Sequence, residues 1–146
     1  MIISAILKAK GNAVVTVDPT TKVSDIIRKL ADHRIGAVVV VEHGGAVRGI
    51  VTERDIVGAL AEAQNTGRST LDSTEEAIMT SPAITCQASD TVDHIMAEMT
   101  TRRFRHFPVV EDGALIGMIS IGDLVKMRIA EAEMETAAMR DYITAR

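Results

Sequence analysis

Two four-residue stretches carry the polar chemistry of this chain. Thr52-Glu53-Arg54-Asp55 and Ser120-Ile121-Gly122-Asp123 each set a hydroxyl three positions ahead of a carboxylate, inside the matching phrases GIVTERDIV and GMISIGDLV. A hydroxyl followed at that spacing by an acid, ahead of an apolar run, starts a helix. The hydroxyl accepts from a free backbone N–H, and the acid lies at the positive end of the helix dipole. The same pair can also grip a ligand. Helix-start N–H groups suit a phosphate, a hydroxyl can donate to a phosphate or ribose oxygen, and an ionised carboxylate can accept from both ribose hydroxyls. Alone, either tetrad reads as a cap. Together, in matching surroundings, they point to a pair of binding clefts in which Thr52 and Ser120 serve both purposes.

The surroundings do match. Val23, Ile26, Ile27 and Leu30 fall on one helical face, and Val92, Ile95, Met96 and Met99 repeat that spacing 69 positions later. A short β-like piece and a polar turn precede each, VVTVDPTTK and AITCQASDT. Strand-like runs follow, GAVVVV and HFPVV, then glycine turns, EHGGA and EDGA, then further strands, VRGIV and LIGMIS. The first turn is one residue longer, so the offset falls to 68 at the tetrads. Each half is predicted as strand, helix, strand, strand, helix. Two such α/β units can bury their uncovered sheet faces against each other about a pseudo-twofold axis, with ligand clefts where they meet. Gly49 and Gly117, inside strands, mark close approach of another backbone or a ligand.

The predicted boundaries are a first unit over 1–66, a linker over 67–78, a second unit over 79–130 and a helical extension over 131–146. Residues 64–73 are small and polar, as a linker requires. After Asp123 the chain runs LVKMRIAEAEMETAAMRDYITAR without glycine or proline. That predicts a helix too long for the second unit alone, with its end packed on a partner subunit.

Composition narrows the function classes. Hydrophobic content of 47% with 25% charged residues reads as globular, and 146 residues can bury a sizeable core. A net charge of −4 and 2% aromatic residues argue against nucleic acid as a partner. The longest apolar run, Ala37 to Val41, is far short of the ~20 residues of a membrane span. MIISAILKAKG has an apolar patch but neither a charged start nor a small-residue cleavage site, so no signal peptide is expected. The single Cys86 fits a reducing compartment, and the chain is expected to be cytoplasmic. His33, His43, His94, His106 and Cys86 show no ligand spacing for a metal. Cys86 has no base in sequence context, so nucleophilic catalysis is not expected. Most of the eight methionines read as core filler. Arg102, Arg103, Arg105 and His106 form a basic cluster where Gly36 and Ala37 stand in the first half.

The tetrads, the RIGAVVVV and RHFPVV strands and the IMTSP piece together resemble a tandem pair of cystathionine beta-synthase (CBS) domains, a Bateman module, over about residues 5–130. The resemblance implies a regulatory sensor, without catalysis, for adenosine nucleotides such as AMP, ADP, ATP or NAD. It also implies a disk-shaped homodimer and a separate, unidentified protein under regulation. Carried over, each cleft joins the tetrad of one half to the linker and inner strand of the other. One cleft would set Thr52, Arg54 and Asp55 against Thr80, Phe104, Arg105 and His106. Its sister would set Ser120, Gly122 and Asp123 against Ile35, Gly36 and Ala37, with Lys10 nearby. The first would then offer two arginines and a histidine to phosphates and favour the more highly charged ligand. Two other readings compete: a structural dimer whose tetrads are only caps, and an enzyme acting on a nucleotide.

Overall fold

The computed structural model describes residues 1–67, 73 and 78–145. The chain opens on a helix, α1 (Ile3–Lys10), ended by Gly11 at φ 98°. The first half follows as β1 (Thr16–Val17), α2 (Val23–His33), β2 (Ala37–Val41), β3 (Val47–Thr52) and α3 (Glu53–Thr66). The second half contributes α4 (Val92–Arg102), β4 (His106–Glu111), β5 (Ala114–Ser120) and α5 (Ile121–Thr144). Most of the expected linker, 68–72 and 74–77, lies outside the described residues.

Duplication shows in the details. β2 and β3 pair antiparallel with a register shift at Val40/Val41, and β4 and β5 do so with a shift at Val109/Val110, 69 positions on. Arg34 and Arg103 end α2 and α4 in the left-handed conformation, at φ 52° and 59°. A non-glycine residue holds that conformation only against a steric cost, so its recurrence at equivalent sites reflects common descent of the turn.

The halves differ at their first strand. β1 runs parallel to β2 through Thr16↔Val39 and Val17↔Val40, giving a three-stranded sheet. Its counterpart shrinks to one bridge, Cys86↔Val109, beside a two-stranded sheet. The strand expected at AITC is therefore not continuous. Cys86 still exchanges backbone bonds with Pro108 and Val110 at 3.0 and 2.9 Å.

Within each half, the side chains beneath the helices form a buried cluster of their own. Val17, Ile26, Leu30, Val38, Val40, Val51 and Ile56 form one buried cluster. Ile95, Met99, Phe107, Val109, Ile119 and Leu124 belong to another, and Ile3, Ile6 and Leu7 of α1 join it. The reason is strand alternation: Val38 and Val40 pack beneath α2, while the alternate residues Ala37 and Val39 are buried outside that cluster. The N-terminal patch is thus a helix, and its apolar face completes the second half rather than the first.

Across the two halves, Ile50 and Thr80 exchange backbone hydrogen bonds at 3.1 and 2.9 Å. Thr80, just past the linker, thereby reaches into the first half. Among the described residues, no helix is long and apolar enough to cross a membrane.

Candidate functional site

Both tetrads fold as capping boxes. Thr52 Oγ1 accepts from the Asp55 N–H at 3.3 Å, and Asp55 Oδ2 accepts from the Thr52 N–H at 2.9 Å. Ser120 Oγ and the Asp123 N–H repeat the contact at 3.3 Å, and Asp123 Oδ2 accepts from the Ser120 N–H at 2.8 Å. Each box pairs orphan donors at the helix start and fixes its carboxylate. The Thr52 hydroxyl also donates to Asp55 Oδ2 at 3.1 Å.

Around Asp55 lies a cavity of about 190 Å³. It brings together Thr52, Arg54, Asp55, Thr80, Phe104, Arg105 and His106, the whole group the sequence assigns to one cleft. Thr80 faces Asp55 across it, its hydroxyl 3.4 Å from Oδ1. Ile50, Ile84 and Phe104 give the cavity apolar walls. Arg102 and Arg103 join Arg54 and Arg105 in lining it. Arg54 reaches across to donate to the Arg103 carbonyl at 3.3 Å, while Arg102 is tied to Glu98 at 2.7 Å. Glu53 joins Asp55 as a second acid in the lining.

His106 is half-buried, and burial is the largest influence holding its pKa below the ordinary 6.5. Lys10 and Arg105 push the same way, against the opposing pull of Glu53 and Asp123. At pH 7 it is therefore a neutral imidazole with one donor and one acceptor. In that form it can still offer a phosphate one N–H donor, but the positive charge of the cavity lies elsewhere. The arginines carry that charge.

The sister cleft is built differently from its expected form. Gly36 also lines the Asp55 cavity, its carbonyl accepting from the Glu53 N–H at 3.0 Å. A Cβ added to Gly36 would stand 3.2 Å from the His106 ring. Ile35 packs on the first core and Ala37 is buried in β2 opposite Thr52. The cause is register. β2 pairs with β3 up to Thr52, which brings Gly36 beside the tetrad of its own half, while Arg105 and His106 reach the same cavity from the other half. Gly122 lies on the exposed side of the Ser120–Asp123 turn.

Lys10 does lie at this cleft, but it faces the carboxylate. Its ammonium donates to Asp123 Oδ2 at 2.6 Å and to the Met118 carbonyl at 2.8 Å. Burial pushes the Asp123 carboxyl up, yet the hydrogen bonds and charge of Lys10 and the bonds from Ser120 outweigh it and hold the group below the ordinary 3.8. Sequence reasoning missed the helix that delivers Lys10. The signal was present in Ile3, Ile6 and Leu7 at helical spacing, with Gly11 as terminator.

Chemistry elsewhere is subdued. Burial, with the Asp90 charge nearby, pushes the Cys86 thiol up to about 12, so it stays protonated and unreactive. Among the described residues, no three His, Cys, Asp or Glu side chains gather as a metal site.

Comparison with known proteins places these features. The profile of the CBS domain matches residues 11–62 and 75–129. The mitochondrial CBS domain-containing protein CBSX3 of Arabidopsis thaliana is 36% identical over 151 aligned positions, 97% of this chain and 71% of that protein. The crystal structure of a CBS-domain containing protein from Agrobacterium tumefaciens superposes with a TM-score of 0.81 at 43% identity, covering 87% of this chain and 92% of that one. A CBS domain protein from Pyrobaculum aerophilum complexed with AMP superposes with a TM-score of 0.78 at 29% identity, covering 93% of this chain and 99% of that one.

Proposed function

The chain belongs to the CBS-domain family, as a tandem pair, and from that premise we propose that it is a regulatory module holding an adenosine nucleotide at Asp55. AMP, ADP, ATP and NAD share the adenosine this cleft would grip. The observation that carries the reading is the pairing of Asp55 with an apolar cavity rimmed by arginines. Asp55 Oδ1, met by the Thr80 hydroxyl at a long 3.4 Å, is the acceptor a ribose diol needs. Phe104, Ile50 and Ile84 suit a purine face, and Arg54 and Arg105 suit phosphates, which arginine forks bind bidentately. The relative complexed with AMP supports the ligand class. The proposed role is sensing, with no catalysis of its own, for a separate protein in a reducing, cytoplasmic setting.

The reading includes a homodimer. Val57 and its counterpart Val125 stand 65% and 43% exposed at the start of α3 and α5, and Ile129, Met134 and Met139 are exposed farther along α5. Apolar surface of this kind suits a second subunit.

Native mass spectrometry of the freshly purified protein tests both parts. The expected result is a dimer carrying an adenosine-containing mass. A dimer that takes up no AMP, ATP or NAD on titration would favour the purely structural reading, and turnover of an added nucleotide would favour an enzyme. Calorimetry with AMP and ATP then tests the phosphate side: Arg105→Ala should lower the ATP-to-AMP affinity ratio several-fold, and an unchanged ratio would remove Arg105 from that role.

A further inference from the structure

The two clefts are crossed by different kinds of chain. Over Gly49 runs the extended stretch at Met79 and Thr80, close enough that an added Cβ would stand 2.8 Å from the Thr80 carbonyl oxygen. Over Gly117 runs α1, whose Leu7 would stand 2.7 Å from such a Cβ. The same glycine therefore admits a strand in one half and a helix in the other. An extended strand continues past the tetrad, leaving only the Thr80 hydroxyl beside Asp55. A helix brings its i+3 side chain round to the same face. From Leu7, that side chain is Lys10.

Lys10 then occupies the position a ligand would need. Its ammonium is anchored twice, to Asp123 Oδ2 and to the Met118 carbonyl. The carboxylate side chain is 20% exposed, so the pair is partly shielded from water. Two consequences follow for a ribose. Its hydroxyls would have to displace a charge-assisted hydrogen bond, which is stronger than the neutral bonds they would form. They would also meet a carboxylate whose charge is already balanced. Asp55 differs on both counts, because its extra partners are the neutral hydroxyls of Thr52 and Thr80.

We propose that Lys10 is an internal occupant of the second cleft, so that the module holds one adenosine nucleotide per chain, at Asp55. The inference rests on the nucleotide reading above, and its test separates the two. Wild type, Lys10→Ala and Lys10→Met are titrated with AMP by calorimetry, and bound copies are counted by native mass spectrometry. Wild type should bind one AMP per chain. Lys10→Ala should bind two, its second site gaining at least about tenfold in affinity, the scale of one charge-assisted bond no longer displaced. Adding Asp123→Asn to Lys10→Ala should return the count to one. Lys10→Met keeps the aliphatic stem, so a second site there too would assign the block to charge, and a second site in Lys10→Ala alone would assign it to the stem. Retained affinity at Asp55 certifies folding in each variant. Two AMP per chain in wild type, or one in both folded variants, overturns the proposal while the nucleotide reading stands. No AMP bound to wild type defeats the nucleotide reading itself and this inference with it.

Discussion

Asp55 and Asp123 occupy the same place in the same capping box, yet they keep different company. Asp55 faces a cavity, neutral hydroxyls and a rim of arginines. Asp123 faces one lysine at 2.6 Å. The caps themselves do not account for this, since both form with nearly identical distances, and the tetrads account for only part of it, through Arg54 where the second copy has Gly122. The rest of the difference comes from the arginines that precede β4 and from the segments that cross the two glycines: the extended stretch at Met79 and Thr80 over Gly49 and the N-terminal helix over Gly117. Duplication therefore left the same capping turn in two places, each a candidate for the ribose and phosphate contacts proposed above. The crossing chain decides whether each copy stays open.

The sharpest way to break the comparison is to remove each carboxylate in turn. Asp55→Asn keeps the shape of the cap while removing the charge that would hold the ribose. Hydrogen bonds to a charged group contribute about 1.5–3 kcal/mol each, so affinity for AMP should fall at least tenfold. Asp123→Asn should leave that affinity within about twofold, while releasing Lys10 and costing at most about 1 kcal/mol of stability, as for a partly exposed pair. Calorimetry and thermal melts on the two variants check both halves. Equal losses of affinity would mean that the clefts work alike.

A second test substitutes the glycines beneath the crossing segments. At Gly49 an added methyl meets backbone, the Thr80 carbonyl oxygen at 2.8 Å, along with the Met79 sulfur at 2.9 Å. At Gly117 it meets only the end of the Leu7 side chain. Overpacking of this kind costs about 1–3 kcal/mol. Gly49→Ala should lie at the upper end and lower nucleotide affinity, because Thr80 must move away from Asp55. Gly117→Ala should lie at the lower end, since Leu7 can change rotamer. A larger loss of melting temperature at Gly117 would show that α1 is held more rigidly than the linker strand.

Much of this architecture was legible because it is local. The helices at Val23 and Val92, the paired strands and both caps are written in short-range spacing, and the repeat certified each copy by the other. The cleft around Asp55 was reachable through family resemblance. Three features escaped. The helix at Ile3–Lys10 is short, and its partners lie some eighty or more positions away, so its apolar residues read as an isolated patch. The place of Gly36 in the wall of the Asp55 cavity was not foreseen, because spacing does not reveal that β2 opens beside the tetrad of its own half. Lys10 was expected near the Asp123 cleft, but its direct hold on the carboxylate, across 113 positions, depends on the path of α1.

The smallest expected effect belongs to His106, which senses both clefts at once. Glu53 and Arg105 act on it from the first, Lys10 and Asp123 from the second, and burial outweighs each of them. Its pKa in the folded protein lies below the ordinary 6.5 that it regains on unfolding. Between those values the unfolded chain binds more protons, so stability rises with pH. The contribution is complete above about 6.5 and is lost as pH falls through the depressed folded value. Asp123, held below 3.8 by Lys10 and Ser120, loses its contribution only in a lower window, so the two steps separate. His106→Gln should flatten the upper step and leave the lower one. The imidazole also reports occupancy. Lys10→Ala removes a neighbouring cation and should raise the His106 pKa, as should a phosphate arriving beside Arg105. A ring proton resonance followed by NMR titration reads both shifts. If neither the substitution nor AMP moves it, the two clefts are not electrostatically joined through His106, and each must be treated as a separate site.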